Sequence, residues 1–217
     1  MPKVIVSAAG HGGTSPGAVH APYVEKDLNL LADAAFAKAL HAKYTGFVHR
    51  RVRERDMNVT LAQRVSVAKA QQTDCFLEFH FNAGGGTGPE TYVANSATQD
   101  DLRLAGNVQE FLFGYLKKFG VRDRGVKKAD FYVLRETRGI PSVLVEILFL
   151  DNATDREVIE FPGVIDKIGE ALADGVAAFL RLEKKQSAEC DCERIKDLLS
   201  YYHDFHTAIK NVLKMYP

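Results

Sequence analysis

His11 stands between Gly10 and Gly12-Gly13, and His80 is followed closely by Asn82-Ala83-Gly84-Gly85-Gly86. Neutral imidazole is the commonest protein ligand for metals, and glycines beside it let other groups approach closely. Glu25 follows a long loop at the start of a helical stretch. There it is either a first-turn acid favoured by the helix dipole or the carboxylate of a two-His, one-Glu metal set, which leaves the fourth position to water. Glu146 interrupts the otherwise apolar run from Ser142 to Leu150. A carboxylate buried in such a run is costly unless it is paired, protonated or close to a metal, so Glu146 is a site candidate. Residue types and spacing leave two readings of His11 and His80: metal ligands, or hydrogen-bonded structural histidines. The structural reading is the commoner state, and His20, His41 and His49 take it. The chain has no His-Glu-x-x-His helix, the usual zinc-peptidase pattern.

The elements that must position these residues alternate. Lys3–Ala9 reads as a strand that ends at His11. A Gly-rich loop then runs to about Tyr23. Leu28, Leu31, Ala35, Phe36, Ala39 and Leu40 recur at helical spacing, which predicts a helix over Glu25–Lys43. Phe47–Val52 is a second strand, and Asn58 or Thr60 caps a helix ending near Lys69. Cys75–Phe81 is a buried strand with His80 near its end, Thr91–Ala94 a short one, and Thr98 opens a helix to about Lys118. Phe131–Leu134 and Ser142–Leu150 are strands, the second apolar enough for a central strand covered on both sides. Pro162–Leu182 is the last helix of the domain. The expected fold class is α/β: a mixed, largely parallel central sheet with helices on both faces, plus a C-terminal helical segment. In such sheets sites form outside the carboxyl ends of the strands, where His11 and His80 can meet.

Bulk properties narrow the function. At 217 residues the chain suits one domain, about 150 residues being usual, with an appendage. A formal net charge of zero argues against nucleic acid as a partner, since binders carry a basic excess. The run His49-Arg50-Arg51-Val52-Arg53-Glu54-Arg55 reads as a strand end and solvated loop rather than a phosphate patch. No window approaches the roughly 18 consecutive apolar residues of a membrane span. The apolar start is too short for a signal-peptide core, so the expectation is synthesis in the cytoplasm without a signal peptide. Cys75 reads as core, and Cys190-Asp191-Cys192 lacks the spacer of a zinc knuckle.

Four segments occur in order: Gly10-His11-Gly12-Gly13, Glu25-Lys26-Asp27-Leu28-Asn29-Leu30, Phe79-His80-Phe81-Asn82-Ala83, and Leu144-Val145-Glu146-Ile147-Leu148-Phe149-Leu150-Asp151-Asn152. Arg53 with Asp56, Leu61 with Arg64, Gly88-Pro89-Glu90-Thr91-Tyr92 and Pro141 accompany them. Together, over about residues 3–182, they resemble the zinc-dependent N-acetylmuramoyl-L-alanine amidases of the amidase type 3 family. The resemblance implies that His11, Glu25 and His80 bind Zn2+ and that Glu146 is the catalytic carboxylate. It implies hydrolysis of the amide between N-acetylmuramic acid and L-alanine in peptidoglycan, as an endolysin or autolysin acting on the cell wall after release. Asn82, beside His80, reads as a substrate contact or a turn residue. A zinc peptidase cutting within the stem peptide and a non-catalytic wall-binding module are the alternatives. Two departures stand out: Ser7-Ala8-Ala9 before the first histidine, and Glu78-Phe79 where the family often has serine-isoleucine. By strand alternation Glu78 shares a face with His80. It is a partner of that ring or, more commonly at such positions, a surface or helix-facing residue.

The catalytic domain is thus expected to span residues 1–182. Residues 183–217 form a polar linker and a C-terminal helix in which Ile195, Leu198, Tyr202, Phe205, Ile209 and Val212 make a heptad-like seam. Docking on the domain, a homo-oligomer formed through this helix, and wall targeting are its candidate roles. Six basic and six acidic residues in 183–217 give no net pull toward anionic wall polymers, which ranks targeting last.

Overall fold

A computed structural model describes residues 1–70 and 72–186. Met1–Glu183 pack as one compact unit. The heptad-like seam, Cys190 and Cys192 lie outside the described residues.

β1 (Lys3–Ala9) is buried from Ile5 onward, as β-branched residues in a covered strand should be. It lies between β4 (Phe47–Arg51) and β5 (Cys75–Asn82), and β5 pairs with β8 (Ser142–Phe149); these pairings are all parallel. β6 (Glu90–Ala94) adds antiparallel to β8, and β7 (Val126–Ala129) adds parallel to β6. The six-stranded order is β4-β1-β5-β8-β6-β7, a mixed, largely parallel sheet as expected. A two-stranded ribbon of β2 (Val19–His20) and β3 (Tyr23–Val24) leads into α1 (Glu25–Lys43).

Strand alternation divides the apolar residues between two layers. Ile5, Leu77, Phe79, Phe81, Val145 and Ile147 pack with α1, α3 (Gln99–Leu116) and α6 (Val164–Leu180) in the larger core. Close packing has a local requirement at Gly169 of α6, where a Cβ would lie 2.4 Å from the Ala35 carbonyl carbon of α1. On the other face Val6, Ala8, Phe76 and Leu144 form a smaller core with α2 (Leu61–Ala70) and α4 (Tyr132–Glu136). α5 (Ala153–Glu160) links β8 to α6. Thr60, not Asn58, opens α2: its Oγ1 accepts from the Gln63 amide while Gln63 Oε1 accepts from the Thr60 amide, a reciprocal capping box.

The structure corrects the sequence reading at three places. Phe131–Leu134 is not a strand. Consecutive Val133 and Leu134 are both buried while Phe131 and Tyr132 are exposed, a one-sided pattern that suits the short helix α4. The strand of that region is β7, whose Val126-Lys127-Lys128-Ala129 gives little apolar signal because lysine is tolerated at a sheet edge. The Arg-rich run is the expected strand end and exposed loop, with Arg50, Glu54 and Arg55 exposed, but two of its arginines turn inward. Arg53 is 2% exposed, and Arg51 pairs with buried Asp33.

Candidate metal centre

β1 and β5 run side by side, so their carboxyl ends deliver His11 and His80 to one place. The Gly10 amide donates to the Phe79 carbonyl at 2.9 Å, extending the ladder one residue past β1. The two rings then meet edge to face, with centroids 5.0 Å apart. No other residue type fits at position 10, because a Cβ there would lie 2.3 Å from the His80 ring. His11 itself has φ +56, a left-handed conformation uncommon outside glycine and of the strained kind that clusters at functional sites.

A buried guanidinium holds this turn. Arg53 donates to the carbonyls of Ala9 (3.0 Å), Gly10 (2.9 Å) and Lys26 (2.7 Å), tying the end of β1 to the start of α1. Asp56 accepts from the Gly13 amide and from Lys26 Nζ, and Asn58 Oδ1 accepts from the Thr14 amide and hydroxyl. The loop after His11 is therefore clamped by Arg53, Asp56 and Asn58.

Glu25, in the first turn of α1, reaches into the same space. Its Oε1 is 2.7 Å from His80 Nδ1 and 3.3 Å from His11 Nε2, and its Oε2 accepts from the Ala18 amide. Burial works against its charge, but the hydrogen bonds to His11 and His80 outweigh burial and hold the carboxyl well below its ordinary range. One ligand atom from each of His11, Glu25 and His80 lies within 4.8 Å of the others. Among the described residues this is the only such cluster of three or more candidate ligands.

The remaining ring nitrogens are also held. Ser15 Oγ is 2.9 Å from His11 Nδ1, and Glu78 Oε1 is 3.2 Å from His80 Nε2. Glu78 is thus a partner of His80 and also faces a helix, but it is not a surface residue, being 1% exposed. Its other partner is Arg64 of α2. Burial disfavours the protonated His80 ring, yet Glu25 and Glu78 overcome it and raise its pKa to about 10. Without a metal, His80 carries a proton at the point where a cation would compete for the ring.

His80 of β5 and Glu90 of β6 both oppose Glu146 in register, so the three side chains project from one face of the sheet. Burial, partly opposed by His80 and aided by Glu25 and Glu90, pushes the Glu146 carboxyl up to about 7. Its Oε2 is buried without a hydrogen-bond partner. Glu90 behaves oppositely: burial would raise it, but Lys127 and Arg124 hold it low. Asn82 donates to Glu90 Oε1 at 2.7 Å and accepts from the Ala83 amide. His11, Glu25, Glu78, His80, Asn82 and Glu146 line one cleft of about 630 Å³. Leu61 and Tyr132 at its rim are exposed apolar residues.

Sequence reasoning did not anticipate Ser15 or the Lys127–Glu90–Arg124 cluster. Ser15 carries no signal beyond its separation of four residues from His11, and the cluster depends on the position of β7. His20, His41 and His49, read as structural histidines, stay apart from the centre. His20 is exposed, His41 packs against Phe47 and His49, and His49 is bonded to Ser7.

A largely parallel sheet whose carboxyl edge holds two histidines, met there by a glutamate of α1 and with a further buried acid alongside, has the form of a hydrolase. The family model described as N-acetylmuramoyl-L-alanine amidase matches residues 5–178. The chain is 35% identical over 188 residues to an endolysin of Bacillus phage SPP1, covering 85% of this chain and 69% of the relative. It is also 35% identical over 188 residues to the N-acetylmuramoyl-L-alanine amidase CwlM of Bacillus licheniformis, covering 87% and 72%. The crystal structure of an N-acetylmuramoyl-L-alanine amidase from Clostridium difficile 630 superposes with a TM-score of 0.76 at 31% identity, over 83% of this chain and 97% of that one. The chain belongs to the N-acetylmuramoyl-L-alanine amidase family and is an amidase.

Proposed function

We propose that this chain hydrolyses the amide between the lactyl group of N-acetylmuramic acid and L-alanine of the peptidoglycan stem peptide, with a zinc ion held by His11, Glu25 and His80. The observation that carries this reading is the convergence of those three ligand atoms within 4.8 Å in the cleft that Glu146 also lines.

The donor set fits zinc. Ligand atoms about 2.0–2.2 Å from a tetrahedral ion stand roughly 3.3 Å apart, and Glu25 Oε1 lies 3.3 Å from His11 Nε2 and 2.7 Å from His80 Nδ1. Two histidines and one glutamate leave an open coordination position, as catalytic zinc sites do. Bound there, zinc supplies Lewis-acid polarisation of the scissile carbonyl and a lowered pKa for water at its open position.

The chain's own residues do the rest. Glu146 takes a proton from the attacking water and returns it to the departing alanine nitrogen. Burial raises this carboxyl to about 7 in the metal-free site, and a dication bound alongside would favour the carboxylate form that accepts the water's proton. Asn82, anchored through Glu90, is the substrate contact on the β5 side. The glycines after Asn82 leave room for a glycan strand. The substrate lies outside the cytoplasmic membrane, so the enzyme acts there after release from its site of synthesis. Similarity to the phage SPP1 endolysin supports a lytic role.

Digestion of purified peptidoglycan followed by mass spectrometry tests the reading. The expected products are intact stem peptides with a free L-alanine amino group, formed by protein containing one zinc per chain. Cleavage inside the stem peptide, or full activity of zinc-free protein, would overturn it.

A further inference from the structure

Glu78 is the residue of this cleft for which the reaction provides no role. It is 1% exposed and lies two positions before His80 on the same face of β5. Its Oε1 is 3.2 Å from His80 Nε2. Arg64, itself 3% exposed, pairs with the Glu78 carboxylate and donates through Nη2 to the His11 carbonyl at 2.8 Å. One buried guanidinium therefore touches the backbone of one proposed histidine ligand and, through Glu78, the ring of the other histidine. Removing two charges from water is costly, and a buried ion pair adds stability only when its geometry is very good. An arrangement so placed makes better sense as a device for orienting His80.

We propose that Glu78 is the positioning residue of His80: it accepts the proton of Nε2, fixes the ring tautomer with Nδ1 unprotonated toward Glu25, and is itself held by Arg64. This rests on the zinc reading above. A histidine ligand generally donates its free ring N–H to such an acceptor, which sets its orientation and raises its basicity. For His80 the acceptor is a full carboxylate.

The test is zinc affinity, measured by competition with a chromophoric chelator, for the full chain and for Glu78→Gln. Gln keeps the shape but loses the charge. The expected result is a roughly 10- to 100-fold weaker affinity in a variant whose circular dichroism matches the parent. Equal affinity in the folded variant would overturn the proposal while leaving the zinc site intact. A parent chain that binds no zinc would overturn the zinc reading and this proposal together. If Glu78→Gln does not fold, nitrogen NMR of the histidine rings in the zinc-loaded parent gives the answer. A metal-bound Nδ1 and a protonated, hydrogen-bonded Nε2 on His80 are expected; the opposite tautomer would overturn the assignment.

Discussion

His80 of β5 and Glu146 of β8 stand opposite each other in register, so the end of one parallel pairing brings a proposed ligand and a proposed proton carrier to the same face. Both are perturbed by the same confined space. His80 is raised by its carboxylate neighbours, and Glu146 is raised mainly by burial.

Replacing Glu146 with Gln removes the proton carrier and keeps the volume. Hydrolysis should fall by about 10²- to 10⁴-fold, the usual contribution of a general acid–base residue, while zinc content and melting temperature stay close to the parent. Stem-peptide release at an undiminished rate would exclude Glu146 from the reaction.

A zinc ion bound at the proposed site would displace the proton that His80 holds in the metal-free protein. At pH 8 the raised His80 is protonated, so binding should release about one proton per zinc. Calorimetry in two buffers of different ionisation enthalpy counts it directly. Removal of zinc by a chelator should abolish hydrolysis, and added zinc should restore it. Binding without proton release would show that His80 is already neutral in the metal-free protein.

Gly10 and Gly106 separate close approach from simple helix propensity. Gly10→Ala drives a methyl into the His80 ring, whereas a Cβ at Gly106 of α3 meets nothing within 4 Å. Gly106→Ala should therefore stabilise the fold by about 0.5–1 kcal/mol and leave hydrolysis unchanged. Gly10→Ala should weaken zinc binding. Thermal melts and metal titrations of the two variants make the comparison, and indistinguishable zinc affinities would refute the contact.

His49 gives the protein an acid-sensitive element far from the chemistry. Burial, helped by His41 and Arg51, depresses its pKa to about 3, and its Nε2 is 2.8 Å from Ser7 Oγ. The unfolded chain protonates His49 near 6.5 and the folded one only near 3. The unfolded state therefore binds more protons in that window, and stability rises with pH across it. Acidification from pH 6.5 to 3 should lose that contribution, and His49→Gln should flatten the acid limb of a denaturation series. An unchanged slope would contradict the assignment.

The ordered motifs, the helical spacing of α1 and the apolar runs of β1, β5 and β8 were legible from the chain alone. They depend on local periodicity and on residue types that burial tolerates in only a few ways. Glu146 was legible for the same reason: an acid in a central strand has few structural explanations. The edge strand β7 was not legible, since half-exposed lysines carry no apolar period, and Phe131–Leu134 misled because four apolar residues suit a strand or a helical turn equally. Arg53 looked like part of a charged loop. Its burial follows from three carbonyls that converge only after β1, α1 and β4 have packed.

Glu78 had two readings in one dimension. Alternation put it on the face of His80, but α2 had to pack before Arg64 could pair with it and turn a costly buried charge into a held one. The sequence by itself determined which residues could serve as ligands and acid. Tertiary structure decided that His11, Glu25 and His80 share one point in space, because parallel pairing and the clamp around Gly10 act between segments that only the fold brings together.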